Sequence, residues 1–293
     1  MSRVNNVSIF AACVAIWGTT WLAITYQLGT VAPEVSVSHR FMLAAVVIAL
    51  WCWVRGLSLR FTPAQHGALA LMGIAMYGIS YVCVYHAELY VASGLVAIGY
   101  SASPLLSTLG MRVFFGQAIT ARMALGSAFG ILGITLVYWP EFERMSASSN
   151  VALGAMFTAL AVLLSMSGGL LAHRNHVRGL HGWPTMAWSM GYGALASLIV
   201  ALALGREYTI DWGAPYLLSL LYLSLLGSVV TFAGWLTLVG RIGVPRASYV
   251  GVMAPVVALF VSTAFEGFAW HALTVIGVAV SFAGNVLVLS GKR

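Results

Sequence analysis

The chain has 293 residues, of which 61% are hydrophobic and only 7% are charged. Ordinary soluble domains carry about 25% charged residues, so this composition excludes a water-soluble protein and indicates a surface that mostly faces lipid. The formal net charge of +7 comes from basic residues that mark the ends of apolar stretches, so we interpret it as a signal of membrane topology and not of nucleic-acid binding.

The sparse charged residues divide the sequence into ten apolar stretches. Crossing the hydrocarbon core takes about 20 helical residues, and each stretch is close to that length. We therefore predict an all-α membrane protein with ten transmembrane helices. The predicted spans cover residues 7–26, 36–54, 66–87, 91–112, 121–139, 151–172, 183–204, 215–239, 245–265 and 271–289.

The distribution of charge between the predicted loops indicates the orientation of the chain. Lysine and arginine residues are retained on the cytoplasmic side of short membrane loops. With ten spans, 11 of the 14 lysine and arginine residues fall on one side of the membrane, and all seven acids fall on the other. We therefore predict that the N- and C-termini are both cytoplasmic.

The first span carries two tryptophans near its middle. Trp17 and Trp21 are four residues apart and therefore share a helix face. Trp17 lies about ten residues inside the helix, which is too deep for an interfacial tryptophan belt. We predict that Trp17 lines a substrate cavity; the alternative is that it packs against a neighbouring helix.

Charged residues mark the outer ends of the second and third spans. The uncharged run between Arg40 and Arg55 is too short to cross a bilayer, so the second helix must begin before Arg40. Arg40 then either extends toward the outer surface or pairs with an acid at the outer mouth. Glu88 ends the third span and is either a gate or a solvated loop carboxylate. Arg40 and Glu88 are therefore candidates for an outer gate.

The third span presents a stripe of tyrosines. Tyr77, Tyr81 and Tyr85 recur every four residues and share one helix face. We predict that Tyr77 and Tyr81 line the cavity, whereas the alternative is core packing with hydrogen-bonded hydroxyl groups.

A proline interrupts the fourth span, and the same feature recurs 151 residues later. Aligning Pro104 with Pro255 also aligns three pairs of glycines without a gap: Gly116 with Gly267, Gly126 with Gly277 and Gly133 with Gly284. We infer a tandem duplication in which residues 1–144 form the first five-helix repeat and residues 145–293 form the second.

The paired prolines point to the central site of a transporter. A proline inside a helix removes a backbone hydrogen bond, and in lipid such a break is tolerated only beside protein or a water-filled cavity. Paired interruptions at corresponding positions of two halves mark the binding site of many transporters. Pro104 and Pro255 are therefore predicted hinges of the fourth and ninth spans.

Hydroxyl groups cluster just before both prolines, where backbone groups are also left unpaired. We therefore predict a substrate cavity that is lined by these hydroxyls together with the aromatic residues of the first and third spans. The predicted lining residues are Trp17, Tyr77, Tyr81, Tyr100, Ser103, Ser248 and Tyr249.

Small residues at intervals of three and four follow each proline, and such patterns allow two helices to approach closely. We predict helix packing for both series. They consist of Gly126, Gly130 and Gly133 in the fifth span and Gly277, Ser281 and Gly284 in the tenth.

The sequence gives no indication of a metal site or a cofactor. Cys13, Cys52 and Cys83 lie in apolar stretches, where a small buried side chain is the expected role. Three histidines between residues 173 and 181 lie among arginines in a cytoplasmic loop, with no cysteine or carboxylate nearby to complete a site. We therefore predict neither metal ligands nor catalytic residues.

Because each predicted repeat holds five spans, an odd number, the second repeat crosses the membrane in the opposite direction to the first. The repeats are therefore predicted to be inverted. A pseudo-two-fold axis in the membrane plane then relates them and provides the two packings that alternating access requires.

Several short motifs resemble the EamA repeat of the drug/metabolite transporter superfamily. They are Ile16-Trp17-Gly18, His39-Arg40-Phe41, the stretch 87–93, Pro104 followed by Phe115-Gly116, and the echo of this pattern at residues 244–247, 255 and 267. In that family a glutamate commonly follows the glycine after the fourth helix, but Gln117 and Phe268 stand there, so no role of that carboxylate is transferred. Within the superfamily, the aromatic content and uncharged core are most similar to exporters of aromatic amino acids.

Together, these features predict a multi-pass transporter of the bacterial inner membrane that exports amino acids, aromatic ones above all, or related small amphipathic metabolites. Its expected partners are the lipid bilayer and a small-molecule substrate, and a monomer is expected. A broad carrier of hydrophobic drugs would be expected to have a buried acid, and a nucleotide-sugar carrier to have basic cavity residues. A membrane-embedded enzyme or scaffold would need a catalytic cluster or an extramembrane domain, and the sequence suggests neither.

Overall fold

The computed structural model describes residues 5–116, 118–144, 149–242, 247 and 249–289. Every regular element in these residues is helical, which confirms the predicted all-α class. The α-helices are α1 (Asn6–Thr25), α2 (Pro33–Val54), α3 (Pro63–Gly73), α4 (Ser80–Glu88), α5 (Ser93–Gly99), α6 (Ser103–Phe115), α7 (Ala121–Arg144), α8 (Ser149–Val177), α9 (Trp183–Ala203), α10 (Ala214–Leu221), α11 (Thr231–Ile242), α12 (Tyr249–Phe265) and α13 (Ala272–Leu289).

Three of the predicted spans are built from more than one kind of helix. A π-helical segment, π1 (Ile74–Ile79), joins α3 to α4, and a second segment, π2 (Tyr222–Val230), joins α10 to α11. A 3₁₀ turn, Tyr100–Ala102, joins α5 to α6.

Seven helical stretches in the described part of the chain are long and apolar enough to cross a membrane. They are Asn6–Thr25, Pro33–Val54, Pro63–Glu88, Ala121–Pro140, Asn150–Val177, Trp183–Ala203 and Ala214–Trp235. The other predicted spans coincide with shorter apolar helices, Ser93–Ala102, Tyr249–Phe265 and Ala272–Leu287. A multi-pass membrane protein is thus confirmed, while the count of ten spans stays a prediction.

The helices form two compact units, each of which draws on both predicted repeats. The first unit comprises Met1–Leu22, Ala87–Ala159 and Val230–Arg293, and the second comprises Ala23–His86 and Leu160–Val229. The predicted division into residues 1–144 and 145–293 concerns duplicated sequence, which this grouping of contacts does not test.

In the first unit, α7 packs against α13 through the two predicted series of small residues. A Cβ atom added to Gly133 would lie 2.5 Å from the carbonyl oxygen of Gly277, and one added to Gly277 would lie 2.6 Å from the carbonyl oxygen of Gly133. Gly284 similarly approaches the backbone of Gly126. The predicted packing role is therefore confirmed at these positions, and the pairing order makes α7 and α13 antiparallel.

In the second unit, α2 packs against α9, and both ends of this pair are fixed by hydrogen bonds. The indole N–H of Trp188, near the start of α9, donates to the carbonyl oxygen of Leu59, just beyond α2, at 2.9 Å. At the other end, the hydroxyls of Ser38 and Tyr208 lie 3.2 Å apart. Helices α2 and α9 are therefore also antiparallel.

Two glycines of the aligned pairs end helices in the same backbone conformation. Gly116 follows α6 with a φ of 68°, and Gly267 follows α12 with a φ of 69°. This left-handed conformation carries little cost only for glycine, so the backbone explains why glycine recurs after 151 residues.

Candidate functional site

The predicted cavity residues fall into two sets that belong to different units. Trp17, Tyr100, Ser103 and Tyr249 lie in the first unit, whereas Tyr77 and Tyr81 lie in the second. Ser248 lies outside the described residues.

In the first unit, two aromatic pairs surround α1. The ring of Trp17 meets the ring of Phe232 edge to face, with centroids 5.4 Å apart. The ring of Trp21 lies 5.2 Å from that of Tyr100. Trp17 and Tyr100 are each half-buried, so helix packing covers part of each ring and leaves part available. The cavity role of both residues stays a prediction.

The two predicted hinges differ in their local backbone. Pro104 stands in the first turn of α6, directly after the 3₁₀ turn, so the fourth span changes helix type there. Helix α12, by contrast, continues through Pro255. Ser103 directly precedes Pro104, Tyr249 begins α12, and both side chains are half-buried.

A small cleft lies next to Pro255, between Ser101, Ser281 and Asn285. It has space for roughly one water molecule. An amino acid does not fit there, so the cleft is a narrow gap between helices, lined mostly by apolar side chains, and not a substrate site in this conformation.

In the second unit, Arg40 lies at the centre of an aromatic cluster. Its side chain is only 2% exposed, and its guanidinium carbon lies 4.7 Å from the ring centroid of Tyr81 and 5.1 Å from that of Phe41. The Phe41 ring in turn packs against Tyr77 and Tyr81, with centroids 5.4 and 4.8 Å apart. We call Arg40, Phe41, Tyr77, Tyr81 and Ser228 the arginine cluster.

The charge of Arg40 is only partly compensated within the arginine cluster. Its Nε donates to the hydroxyl of Ser228 at 3.4 Å, which is a long hydrogen bond. Its Nη1 atom is buried and has no hydrogen-bond partner among the described residues. Burying an ion costs several kcal/mol, and cation–π contacts return up to about 2 kcal/mol when desolvated. The cluster therefore holds a cation whose Nη1 group still lacks an acceptor among the described residues.

The placement of the two gate candidates narrows their possible roles. Arg40 does not extend to the surface, and the buried acid Glu34 pairs with His86 and not with Arg40. Glu88 is only 9% exposed, so it is not a solvated loop carboxylate. A gate role for Arg40 and Glu88 stays a prediction.

A polar network that the sequence analysis missed runs along the first turns of α2. Glu34 is fully buried and accepts a hydrogen bond from His86 Nε2 at 2.7 Å. The hydroxyl of Tyr216 lies 3.1 Å from the hydroxyl of Ser36 and 3.1 Å from Nδ1 of His39. The alternating polar residues between Pro33 and Arg40 were a signal of this network, but the partners lie far away in sequence.

The π-helical segments also escaped the sequence analysis, and both contribute to the arginine cluster. Tyr77 lies in π1 and Ser228 lies in π2. The hydroxyl of Ser228 donates to the carbonyl oxygen of Leu223, five residues earlier, at 2.9 Å. Residues 74–79 correspond to residues 225–230 when the repeats are aligned. Isolated π turns inside α-helices are frequent at functional sites.

Comparison with known proteins relates both halves of the chain to one family. The model of the EamA-like transporter family matches residues 6–139 and again residues 153–290. Among curated relatives, PecM of Dickeya dadantii is 24% identical over 98% of this chain and 92% of its own. An inner membrane transporter of Escherichia coli, YedA, which is named as uncharacterized, is 25% identical over 97% of this chain and 90% of its own.

A further relative and a solved structure complete the comparison. PagO of Salmonella typhimurium is 26% identical, but the match covers only 55% of this chain and 53% of PagO. The chain therefore spans about half the length of that relative. A crystal structure that is 17% identical over 98% of both chains has a TM-score of 0.69, and this likeness concerns the fold alone.

Proposed function

The chain belongs to the EamA-like transporter family, and from this premise we propose that it exports amino acids, with aromatic ones preferred, by alternating access. That it is a multi-pass transporter of the inner membrane follows from the family and from relatives such as YedA. The substrate and the direction of transport are our proposal.

The observation that carries the proposal is the set of ring clusters inside apolar helices. Trp17, Tyr81 and Tyr100 are half-buried although each lies within a helix of its unit. Each contacts another ring at a centroid distance of 4.8 to 5.4 Å. Such faces offer edge-to-face or offset contacts to an aromatic substrate.

Alternating access is supported by the pairing of helices at equivalent positions of the two repeats. Helix α2 packs on α9 and α7 packs on α13, and both pairs are antiparallel. Helices related by a two-fold axis in the membrane plane run antiparallel, as inverted repeats require. We therefore propose ten spans in two inverted repeats with cytoplasmic termini.

A second candidate function, a carrier of hydrophobic organic cations, is favoured by one observation. Glu34 is fully buried, and its Oε2 atom has no hydrogen-bond partner among the described residues. Its other oxygen, however, is bound by His86, and Glu34 lies in the first turn of α2. A cation site there would lie near the end of the helix and not at its centre.

A nucleotide-sugar carrier is less well supported. A diphosphate carries more than one negative charge, and the second unit buries a single described arginine, Arg40. Its other described arginines are exposed at Arg55, Arg60, Arg174, Arg178 and Arg206.

Counterflow into proteoliposomes tests the proposal. Purified protein would be reconstituted with an internal excess of unlabelled substrate, and the uptake of labelled phenylalanine, methionine, threonine and ethidium would be compared. We expect counterflow of the amino acids with phenylalanine fastest. Counterflow of ethidium alone would replace the proposal with the cation carrier.

A further inference from the structure

We propose that Arg40 binds the carboxylate group of the transported molecule, so that the arginine cluster selects small monocarboxylates. This inference rests on the proposed export function and specifies which substrate group is recognised. It assigns to Arg40 a binding role in place of the predicted gate.

The first argument is the number of hydrogen-bond donors. A guanidinium carries five N–H donors in one plane. In the arginine cluster Nε donates to Ser228, and buried Nη1 has no partner among the described residues. The rings of Phe41 and Tyr81 lie 5.1 and 4.7 Å from the guanidinium carbon, but ring faces do not replace in-plane acceptors. A carboxylate can accept two parallel hydrogen bonds from two N–H groups of one guanidinium.

The second argument is the absence of a protein counter-charge in the described part of the second unit. Glu34 is paired with His86. Glu207 is exposed, and Asp211 accepts a hydrogen bond from the backbone N–H of Gly213 at 2.7 Å. Within the described residues none of these three acids forms an ion pair with Arg40, so we infer that the acceptor for its remaining N–H groups comes from outside the unit.

The third argument is the arrangement of charge and apolar surface. Arg40 places one positive charge beside the rings of Phe41 and Tyr81, and Tyr77 extends the same aromatic surface. An amino acid presents a carboxylate only a few bonds from its side chain. The arginine cluster therefore matches a monoanion with an apolar neighbour better than it matches a polyanion.

The test compares two ligands that differ only at the carboxyl group. Binding of labelled L-phenylalanine and labelled L-phenylalaninamide to purified protein would be measured by equilibrium dialysis at about pH 6, where the amino groups of both are protonated. Hydrogen bonds to charged groups predict that the wild type binds phenylalanine roughly ten- to hundredfold more tightly than the amide. In Arg40→Gln this ratio should fall to about one, with amide binding retained.

Two further variants separate a binding role from a structural one. Arg40→Lys keeps the charge but not the two-donor edge, so an intermediate ratio is expected. Arg55 follows the last residue of the same helix, and its guanidinium carbon also lies over a ring, 5.5 Å from the centroid of Trp51. Unlike Arg40, it is exposed, so Arg55→Gln removes an arginine outside the cluster. This matched control should keep the wild-type ratio.

Several results would overturn the inference. An equal loss of both ligands in Arg40→Gln would make Arg40 a structural residue. Equal binding of both ligands by the wild type would assign the N–H groups of Arg40 to another acceptor. The same conclusion would follow if chloride raised the melting temperature of the wild type but not of Arg40→Gln, while the ratio of the two affinities did not change with chloride. If counterflow detects phenylalanine but the ratio is one, only the carboxylate assignment fails. If the wild type exchanges no amino acid, the proposed function fails and the inference fails with it.

Discussion

Glu34 illustrates how a carboxylate is retained at the end of an apolar helix. It is fully buried, and His86 donates to it at 2.7 Å. Truncating one partner of a buried, charge-assisted bond costs about 1.5–3 kcal/mol. We therefore expect Glu34→Ala to lower the melting temperature of the detergent-purified protein. Fluorescence-detected size exclusion after heating measures this temperature. Glu207→Ala removes the same charge from an exposed position and should leave the melting temperature unchanged.

The half-buried rings of the first unit provide a test of substrate preference. If Trp17 and Tyr100 contact the substrate, Trp17→Ala and Tyr100→Ala should slow phenylalanine counterflow more than threonine counterflow. Aromatic pairs add about 0.5–1.5 kcal/mol beyond burial, so the expected change in the ratio is at most about tenfold. Trp53→Ala serves as the control, because Trp53 is 75% exposed.

A packing role for the same two rings makes a different prediction. Yield and melting temperature would then fall while the order of substrates stays the same. An unchanged order in both variants would refute the aromatic cavity in the first unit without affecting membership of the transporter family.

At the scale of residues, the sequence predicted which side chains share a helix face, but it did not predict which distant residues they contact. Helical spacing predicted that Tyr77 and Tyr81 share a face, and both pack against Phe41, because periodicity is a local property. It could not identify Ser228 as the partner of Arg40, since 188 residues separate them. The uncharged run after Arg40 placed it inside a helix, but only the tertiary fold determines whether it is buried.

At the scale of helices, the close contact of α7 and α13 makes a prediction about packing. Gly133→Ala would place a Cβ atom 2.5 Å from the carbonyl oxygen of Gly277 and from the backbone nitrogen of Ser281. Backbone atoms cannot move aside as a side chain end can, so the helices must separate. We expect a marked loss of folded protein in detergent.

Gly67→Ala is the matched control for this change. Gly67 also lies in a helix, α3, but an added Cβ atom would meet nothing within 4 Å. Alanine has the higher helix propensity by about 1 kcal/mol, so this variant should be as stable as the wild type or more so. Equal behaviour of the two variants would contradict the close approach of α7 and α13.

The prolines give a second prediction at this scale. Pro104 begins α6 after a 3₁₀ turn, whereas α12 is already continuous through Pro255. Pro104→Ala restores a backbone donor where the helix type changes, so it should straighten the fourth span and slow counterflow at normal protein levels. Pro255→Ala should have the smaller effect. Wild-type counterflow by Pro104→Ala would exclude a hinge at this position.

The positions of the helices could be predicted from hydropathy, but their internal irregularities could not. Each described helix begins or ends within a few residues of a predicted span, because desolvation dictates the length of an apolar stretch. The segment π1 and the end of α3 approach α9 closely at Gly78 and Gly73, and such contacts join residues that lie far apart in the sequence. Nothing in the local sequence distinguishes such a turn from a regular α-helix.

At the scale of the whole molecule, the duplication was visible in sequence but the grouping of helices was not. Each compact unit takes helices from both repeats, because equivalent helices pair with each other across the duplication. Four aligned glycine and proline pairs reveal the repeat, yet they do not reveal which helices touch. The two-fold axis that we propose between the repeats would bring equivalent helices together.

The last prediction concerns the orientation of the second unit, and single cysteines test it. Ser58 is exposed just after the end of α2, and His181 is exposed just before the start of α9. These two helix ends lie together, because Trp188 bonds to Leu59. Thr209 is exposed at the opposite end, beside the Tyr208 that contacts Ser38. The positive-inside rule predicts that cysteines at Ser58 and His181 react with an impermeant maleimide only from the cytoplasm, and one at Thr209 only from outside.

The native protein provides a low background for this experiment. Cys13, Cys52 and Cys83 are all buried, so the wild type should label weakly from either side and the three cysteines need not be removed. Labelling at Thr209 on the same side as at Ser58 would mean that α2 and α9 do not both cross the membrane. Labelling of cysteines at Ser58 and His181 only from outside would be compatible with antiparallel helices but would reverse the predicted orientation. The positive-inside rule would then not describe this chain.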